Sequence, residues 1–209
     1  MENDKKKEMI TEDRIIAAAI EEFIQKGYDA TRMQVIADKA NISKSALHYY
    51  FRHKERLFKK VLDLTAGKVL NKLHLDLTGL DSFPEKLDYG FRYYYRAISK
   101  NIKIIRFMFV ELNRNPEVIN QFLEEGNYRK WISSLDEELE KEYQAGRIRQ
   151  TGAEQLILNI VSMCVFPYLS RGIACMILNI DHNAHKRILQ EREEIVLQFI
   201  KDAMFIKEQ

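Results

Sequence analysis

Between Ser43 and Lys54 the chain reads SKSALHYYFRHK, a run of side chains that either donate hydrogen bonds or carry positive charge. These types suit a polyanion. Lys44 can donate to guanine O6 and N7 or to a phosphate, and His48 can do either task. Tyr49 and Tyr50 carry hydroxyls to a phosphate on rigid rings, while Ser45 and Ala46 are small enough for close approach. Lys54 opens the next helical run and adds charge to a helix N-terminus, which already favours anions. With Thr31 and Ser43 at two helix starts, the candidate DNA-binding set is Thr31, Ser43, Lys44, Ser45, His48, Tyr49, Tyr50 and Lys54. A competing reading packs Tyr50, and less readily Tyr49, into the core beneath the turn.

Charge partition supports the polyanion. Residues 31–60 hold eight basic and two acidic side chains, a local balance of +6, within a 209-residue chain whose net charge is +2. The remainder therefore sums to −4, the asymmetry expected when one part of a molecule meets a polyanion and the rest does not. A solvated basic face with no partner is the alternative that charge alone leaves open.

To present these side chains the local elements must form a helix-turn-helix, a support helix joined by a tight turn to a second helix whose outward face enters the major groove. Thr11 caps a first helix carrying Ile16, Ala19, Ile20 and Phe23, and Gly27 stops it. Thr31 caps a second with Val35, Ile36 and Ala40 inward, and Asn41 supplies the left-handed residue of the turn. Ser43 caps the third, which runs through Phe51. Ile36, Ala37, Ala40, Ile42, Leu47 and Phe51 hold the two short helices together.

The rest of the chain also reads as helix, so the fold class is all-α: a small N-terminal helix-turn-helix domain joined to a larger helical one. A long periodic run extends from Lys54 to about Leu77. SFPE at Ser82 to Glu85 has the form of a capping box and opens a helix with Leu87, Phe91, Tyr94 and Ile98 on one face. Pro116 starts a helix that Gly146 ends. TGAE at Thr151 to Glu154 is a further box, and the helix after it is apolar nearly all round, which requires cover on every side. A final helix spans about Ala184 to Ile206. The last two helices suit a bundle shared between two copies, through Leu158, Val161, Val165, Ile188, Ile195 and Phe199, although packing into the chain's own core explains the pattern almost as well. Candidate cavity residues in this half are Phe91, Tyr94, Phe107, Met108, Phe122 and Trp131, since pockets are mostly apolar. The divisions expected are a charged leader over 1–9, the DNA-binding domain over 10–53, and a regulatory and dimerisation domain over 54–209.

TRMQVIADKANISKSALHYYFRHKERLF, Thr31 to Phe58, closely resembles the DNA-binding domain of the TetR family of bacterial transcriptional regulators. The resemblance rests on Ile36 and Ala37, on Ser43 and Lys44, on Leu47 to Phe51, and on Lys54 and Glu55. Asn41 stands where that family usually has a glycine, Ser45 and Ala46 replace a common Gly-Thr or Gly-Ser, and His48 replaces a frequent tyrosine. The resemblance implies a two-fold dimer on a palindromic operator of double-stranded DNA, with the C-terminal helices as the dimer interface. It also implies a cavity for a small effector in each regulatory domain, and release of the operator when the effector moves the helix that starts at Lys54.

Other chemistries find little support. His182 and His185 lie three apart with no third metal ligand in the sequence, and His53 and His74 are equally isolated. There is no glycine-rich phosphate loop, no zinc-spaced cysteine pair and no nucleophile-base signature, so neither an enzyme nor a cofactor is expected. Cys164 and Cys175 fall in one apolar stretch at a spacing that disfavours a disulfide between them. The N-terminal residues lack an apolar run, and Asn159 and Arg171 interrupt the apolar helix, so the expectation is a cytoplasmic protein with no membrane partner. Two functions stay open: a ligand-responsive DNA-binding repressor, or an all-helical small-molecule binding or interaction protein with no DNA role.

Overall fold

Gly27 divides what the backbone otherwise builds as one long helix, α1 (Glu2–Ala30), in a computed structural model that describes residues 2–114 and 116–206, with side chains other than those of 2–8, 118 and 119. Helix α1 begins before Thr11 rather than at it; the residues ahead of Thr11 are mostly good helix formers, and no cap is needed there. Gly27 itself has φ 80° and ψ 168°, a region open to glycine alone. A Cβ added there would also meet Glu111 Oε1 at 2.8 Å.

The chain divides into two compact units, Met1–Lys68 with Lys103–Phe122, and Val69–Ile102 with Leu123–Gln209. In the first, α2 (Met33–Lys39), α3 (Lys44–Tyr50) and α4 (Lys54–Leu62) pack on α1 around Ile15, Ala19, Phe23, Ile36, Leu47, Leu57 and Phe58. Four rings form its aromatic centre: Phe23 lies 5.3 Å from Phe58 and 6.1 Å from Phe107, while Tyr28 lies 4.8 Å from Phe58. Phe107 comes from α7 (Ile102–Arg114). After α4 the backbone passes into a single π-turn, Asp63–Gly67. Thr65 favours it, because its hydroxyl bonds back to the Val61 carbonyl at 2.6 Å and weakens the α ladder.

Three helix starts and stops differ from the periodicity. Thr31 does not cap α2. It is buried and its hydroxyl donates to the Gly27 carbonyl at 2.6 Å, leaving Arg32 in the extended N-cap position. The helix expected from Pro116 to Gly146 is two, α8 (Pro116–Glu125) and α9 (Tyr128–Gln144), parted by Gly126 and by Asn127 at φ 54°. Only glycine fits at 126, where a Cβ would fall 2.1 Å from the Tyr128 ring. Gly152, not Thr151, is the N-cap of α10 (Ala153–Leu169); its first amide is held instead by Asp136 Oδ1 of α9, with Ala153 N donating at 2.8 Å.

The second unit adds α5 (Lys68–Thr78), α6 (Phe83–Lys100), α11 (Arg171–Ile177) and α12 (His182–Met204). Ser82 caps α6, accepting from Glu85 N at 3.4 Å and donating to its carboxylate at 2.8 Å. Phe91, Tyr95, Leu139, Ile148, Cys164, Leu197 and Ile200 form the core. Burial pushes the Cys164 thiol up to about 12. Helices α6 and α12 are tied by Tyr95, whose hydroxyl donates to the Leu189 carbonyl at 2.6 Å, and by ion pairs of Arg92 with Glu194, Arg96 with Glu193, and Lys201 with Asp88. The Lys201 and Arg92 hydrogen bonds hold the Asp88 carboxyl below the usual carboxylate range. Among the described residues no single helix is long and apolar enough to cross a membrane, and α10 with α11 reach that composition only as a pair bent by 81°.

Candidate nucleic-acid interface and ligand cavity

Asn41, at φ 54°, turns the chain between α2 and α3, and the Ile42 amide closes the turn on the Ala37 carbonyl at 3.0 Å. Ser43 Oγ accepts from Ala46 N at 3.1 Å, so α3 starts at Lys44. Helix α3 then has one inward residue, Leu47, fully buried, with Phe51 just beyond it also buried. Ser43, Lys44, Ser45, His48 and Tyr49 face solvent, and Tyr50 is half-buried. Tyr49, at 78 % exposure, is held edge-on to Tyr50 with ring centroids 5.5 Å apart, so both phenols stand on the outward side without filling the core. His48 Nδ1 lies 3.2 Å from the Arg52 carbonyl. A carbonyl only accepts, so Nδ1 is the donor in that contact.

Two side chains of the candidate set turn inward. Thr31 is buried, as described above. Lys54 directs its ammonium at the end of α1, donating to the carbonyls of Tyr28 at 2.7 Å, Thr31 at 3.1 Å and Asp29 at 3.2 Å, with the Tyr28 ring 4.4 Å away. Its three donors are thus consumed by the carbonyl-rich end of a helix, where a cation is favourable. Arg14 does the same for the turn, bonding the Ala40 carbonyl and, at 3.4 Å, that of Asn41. Lys39 pairs with Glu21 and the buried Glu22, each at 3.0 Å, and Lys60 with Glu12 at 3.5 Å. Lys44, Arg32 and Arg52 are left to water. Sequence periodicity could not find the roles of Arg14 or Lys54, because their partners lie 26 residues away and are main-chain atoms.

In the second unit α5, α6, α9 and α10 enclose a cavity of about 520 Å³. Phe91, Tyr94 and Trp131 line it, together with Leu73, Leu77, Leu87, Leu135, Leu156 and Ile160. Phe107, Met108 and Phe122 belong to the first unit; Phe107 is spent on its aromatic centre, and Phe122 is buried there. His74 and Trp131 meet at 5.5 Å beside the cavity, and Lys86 pairs with Glu138 at 2.7 Å on its wall. Burial holds the Tyr94 hydroxyl well above its ordinary range.

The all-round apolar helix is covered on one side only. Ala153, Leu156, Cys164 and Val165 face the core, whereas Leu158 (58 %) and Phe166 (63 %) are bare. Val165, placed by periodicity on a shared face, is buried within its own chain. On α12, Ile188, Ile195 and Phe199 are exposed, and α11 continues the apolar surface with Ile173, Met176 and Ile177. Among the described residues no group of three or more His, Cys, Asp or Glu side chains is placed to hold a metal ion.

Residues 15–61, which contain this helix-turn-helix, match the family model described as bacterial regulatory proteins, tetR family. Over 134 residues the chain is 28 % identical to the biofilm operon icaADBC HTH-type negative transcriptional regulator IcaR of Staphylococcus epidermidis, spanning 63 % of this chain and 68 % of that one. The solved transcriptional regulator of the TetR/AcrR family from Thermobifida fusca superposes with a TM-score of 0.61 at 20 % identity, covering 89 % of this chain and 96 % of that one. FadR from Bacillus subtilis, solved in complex with stearoyl-CoA, gives 0.62 at 17 % identity over 88 % and 96 %. Likeness at such identities is one of fold.

Proposed function

The chain belongs to the TetR family of bacterial regulators, and from that premise we propose that it is a sequence-specific transcriptional repressor that binds a palindromic operator as a homodimer and is released by a small molecule in the α5–α6–α9–α10 cavity. One observation carries this reading: α3 keeps a single buried anchor, Leu47, and turns Lys44, Ser45, His48 and Tyr49 outward together. The Staphylococcus epidermidis relative is a negative transcriptional regulator, which supports repression as the output.

In this reading Lys44 and His48 read bases, and Ser43, Tyr49, Tyr50 and Arg52 position the protein on phosphates. The exposed His48 ring suits a base edge beside Lys44, and Lys44 suits guanine. Thr31 and Lys54 act at one remove, by holding the end of α1. The dimer forms through the bare faces of α10 and α12, with half-sites about 34–36 Å apart or a multiple of that.

Selection of bound duplexes from a random pool tests the whole reading, because a repressor of this kind must return a two-fold symmetric motif. Binding should also weaken steeply with salt as neutralised phosphates release counterions. With the recovered motif, Lys44→Ala and His48→Ala should each cost about 1–3 kcal/mol of preference over a scrambled duplex. A folded double variant that keeps full affinity and selectivity would refute the assignment of α3.

A further inference from the structure

The cavity's wall is not uniformly apolar, and its polar atoms divide into those already satisfied and those not. Lys86 and Glu138 neutralise each other at 2.7 Å, and the Tyr128 hydroxyl donates to Asn71 Oδ1 at 3.1 Å. Three groups differ. The Tyr94 hydroxyl, the Trp131 indole N–H and the His74 ring all belong to lining side chains, and among the described residues none of them has a hydrogen-bond partner. An indole N–H can only donate, and a phenol shielded from water gains from an acceptor. A ligand that brings acceptor atoms into the cavity can satisfy both.

The same wall limits charge. Among the described residues its only ammonium and only carboxylate are Lys86 and Glu138, paired with one another, and its one other basic side chain is His74, whose ring lies 5.5 Å from Trp131, so a cation brought into the cavity meets no unmatched carboxylate and keeps the full cost of leaving water. The remaining surface is mostly aliphatic and aromatic carbon, with Thr78, Ser134 and His74 among it, and the volume suits a drug-sized molecule.

We infer that the effector is an uncharged, mostly apolar molecule bearing at least one hydrogen-bond acceptor oxygen, such as a ketone, ester or lactone, which accepts from Tyr94 and Trp131. This rests on the proposed ligand-responsive reading of the cavity and specifies the chemistry of that ligand. It separates the cavity from one built for a cation, which would require an unpaired carboxylate on the wall, and from one built for a carboxylate, for which the wall has no ammonium free of Glu138.

The chain's one tryptophan lines the cavity, so occupancy has its own optical reporter. The test titrates the full-length protein with three probes of matched length, 2-nonanone, nonanoate and nonyltrimethylammonium, and reads Trp131 emission. A saturable change is expected with 2-nonanone, at roughly tenfold or better affinity over both ions, a difference that corresponds to about 1.4 kcal/mol or more. Tyr94→Phe, which removes only the hydroxyl, should weaken 2-nonanone by roughly two- to tenfold while thermal unfolding shows the fold intact. Tighter binding of either ion, no saturable response to 2-nonanone, or a folded Tyr94→Phe protein of unchanged affinity would overturn the inference. Operator binding is measured in parallel on the same samples. A Tyr94-dependent ketone response in a protein that binds no duplex upholds the ligand class and sinks the regulatory reading; intact operator binding without a ketone response does the reverse.

Discussion

Lys54 and Lys44 look alike in sequence, two cations flanking one short helix, and the structure gives them opposite tasks. Lys44 ends in water; Lys54 ends on three carbonyls at the close of α1. Their substitutions should therefore fail differently. Lys54→Met is expected to lower stability by about 1–2 kcal/mol in urea denaturation, the worth of charge-assisted bonds that are only partly buried. It should leave the dependence of duplex affinity on salt unchanged. Lys44→Ala should do the opposite if Lys44 also neutralises a phosphate, leaving stability alone and flattening the salt slope by about 1. A flatter slope for Lys54→Met would return that lysine to the DNA face. The tasks of Ser43, Asn41 and Leu47 are legible in the sequence because they are local: a cap three residues on, a left-handed turn, a helical anchor. Those of Thr31 and Lys54 are not, since a buried hydroxyl and a borrowed carbonyl depend on which distant segment returns to meet them.

At the scale of elements, the boundary between α1 and α2 depends most on one residue. Gly27 has a backbone conformation closed to side chains and Glu111 stands against the space a Cβ would need. Gly27→Ala should destabilise the first unit by about 1–3 kcal/mol, measured as a fall in thermal midpoint, and should weaken duplex binding because the end of α1 is what Lys54 and Thr31 grip. A neutral Gly27→Ala would mean that Glu111 and the local backbone adjust freely. Helix periodicity found most elements and missed where two of them break. Pro116 and Gly146 frame the stretch correctly, yet the stop at Gly126 and Asn127 depends on the Tyr128 ring lying against the backbone, a tertiary contact. Likewise TGAE has the letters of a capping box, but the first amide of α10 is taken by Asp136 of another helix.

At the scale of the whole molecule the two-part, all-helical plan was legible from charge partition and apolar periodicity, and the assignment of rings to parts was not. Phe91, Tyr94 and Trp131 share a cavity while Phe107 and Phe122 serve the first unit, because the chain leaves that unit at Lys68 and comes back to it at Lys103. Such a return carries no signature in hydrophobic spacing. The bare faces of α10 and α12 bear on assembly. Phe199→Asp, at a side chain 61 % exposed, should leave each chain folded and yield a species near 24.7 kDa by light scattering at micromolar concentration, where the natural sequence should give twice that. Loss of the buried ring alone is worth about 3–5 kcal/mol at a well-packed contact, before any penalty for the carboxylate. A monomeric natural chain would remove the dimer from the reading. If pairing does proceed through that uncovered seam, the supply of working repressor follows mass action. While most chains are unpaired, halving their number leaves only about a quarter of the pairs, so a modest fall in synthesis would open the operator with no effector present at all.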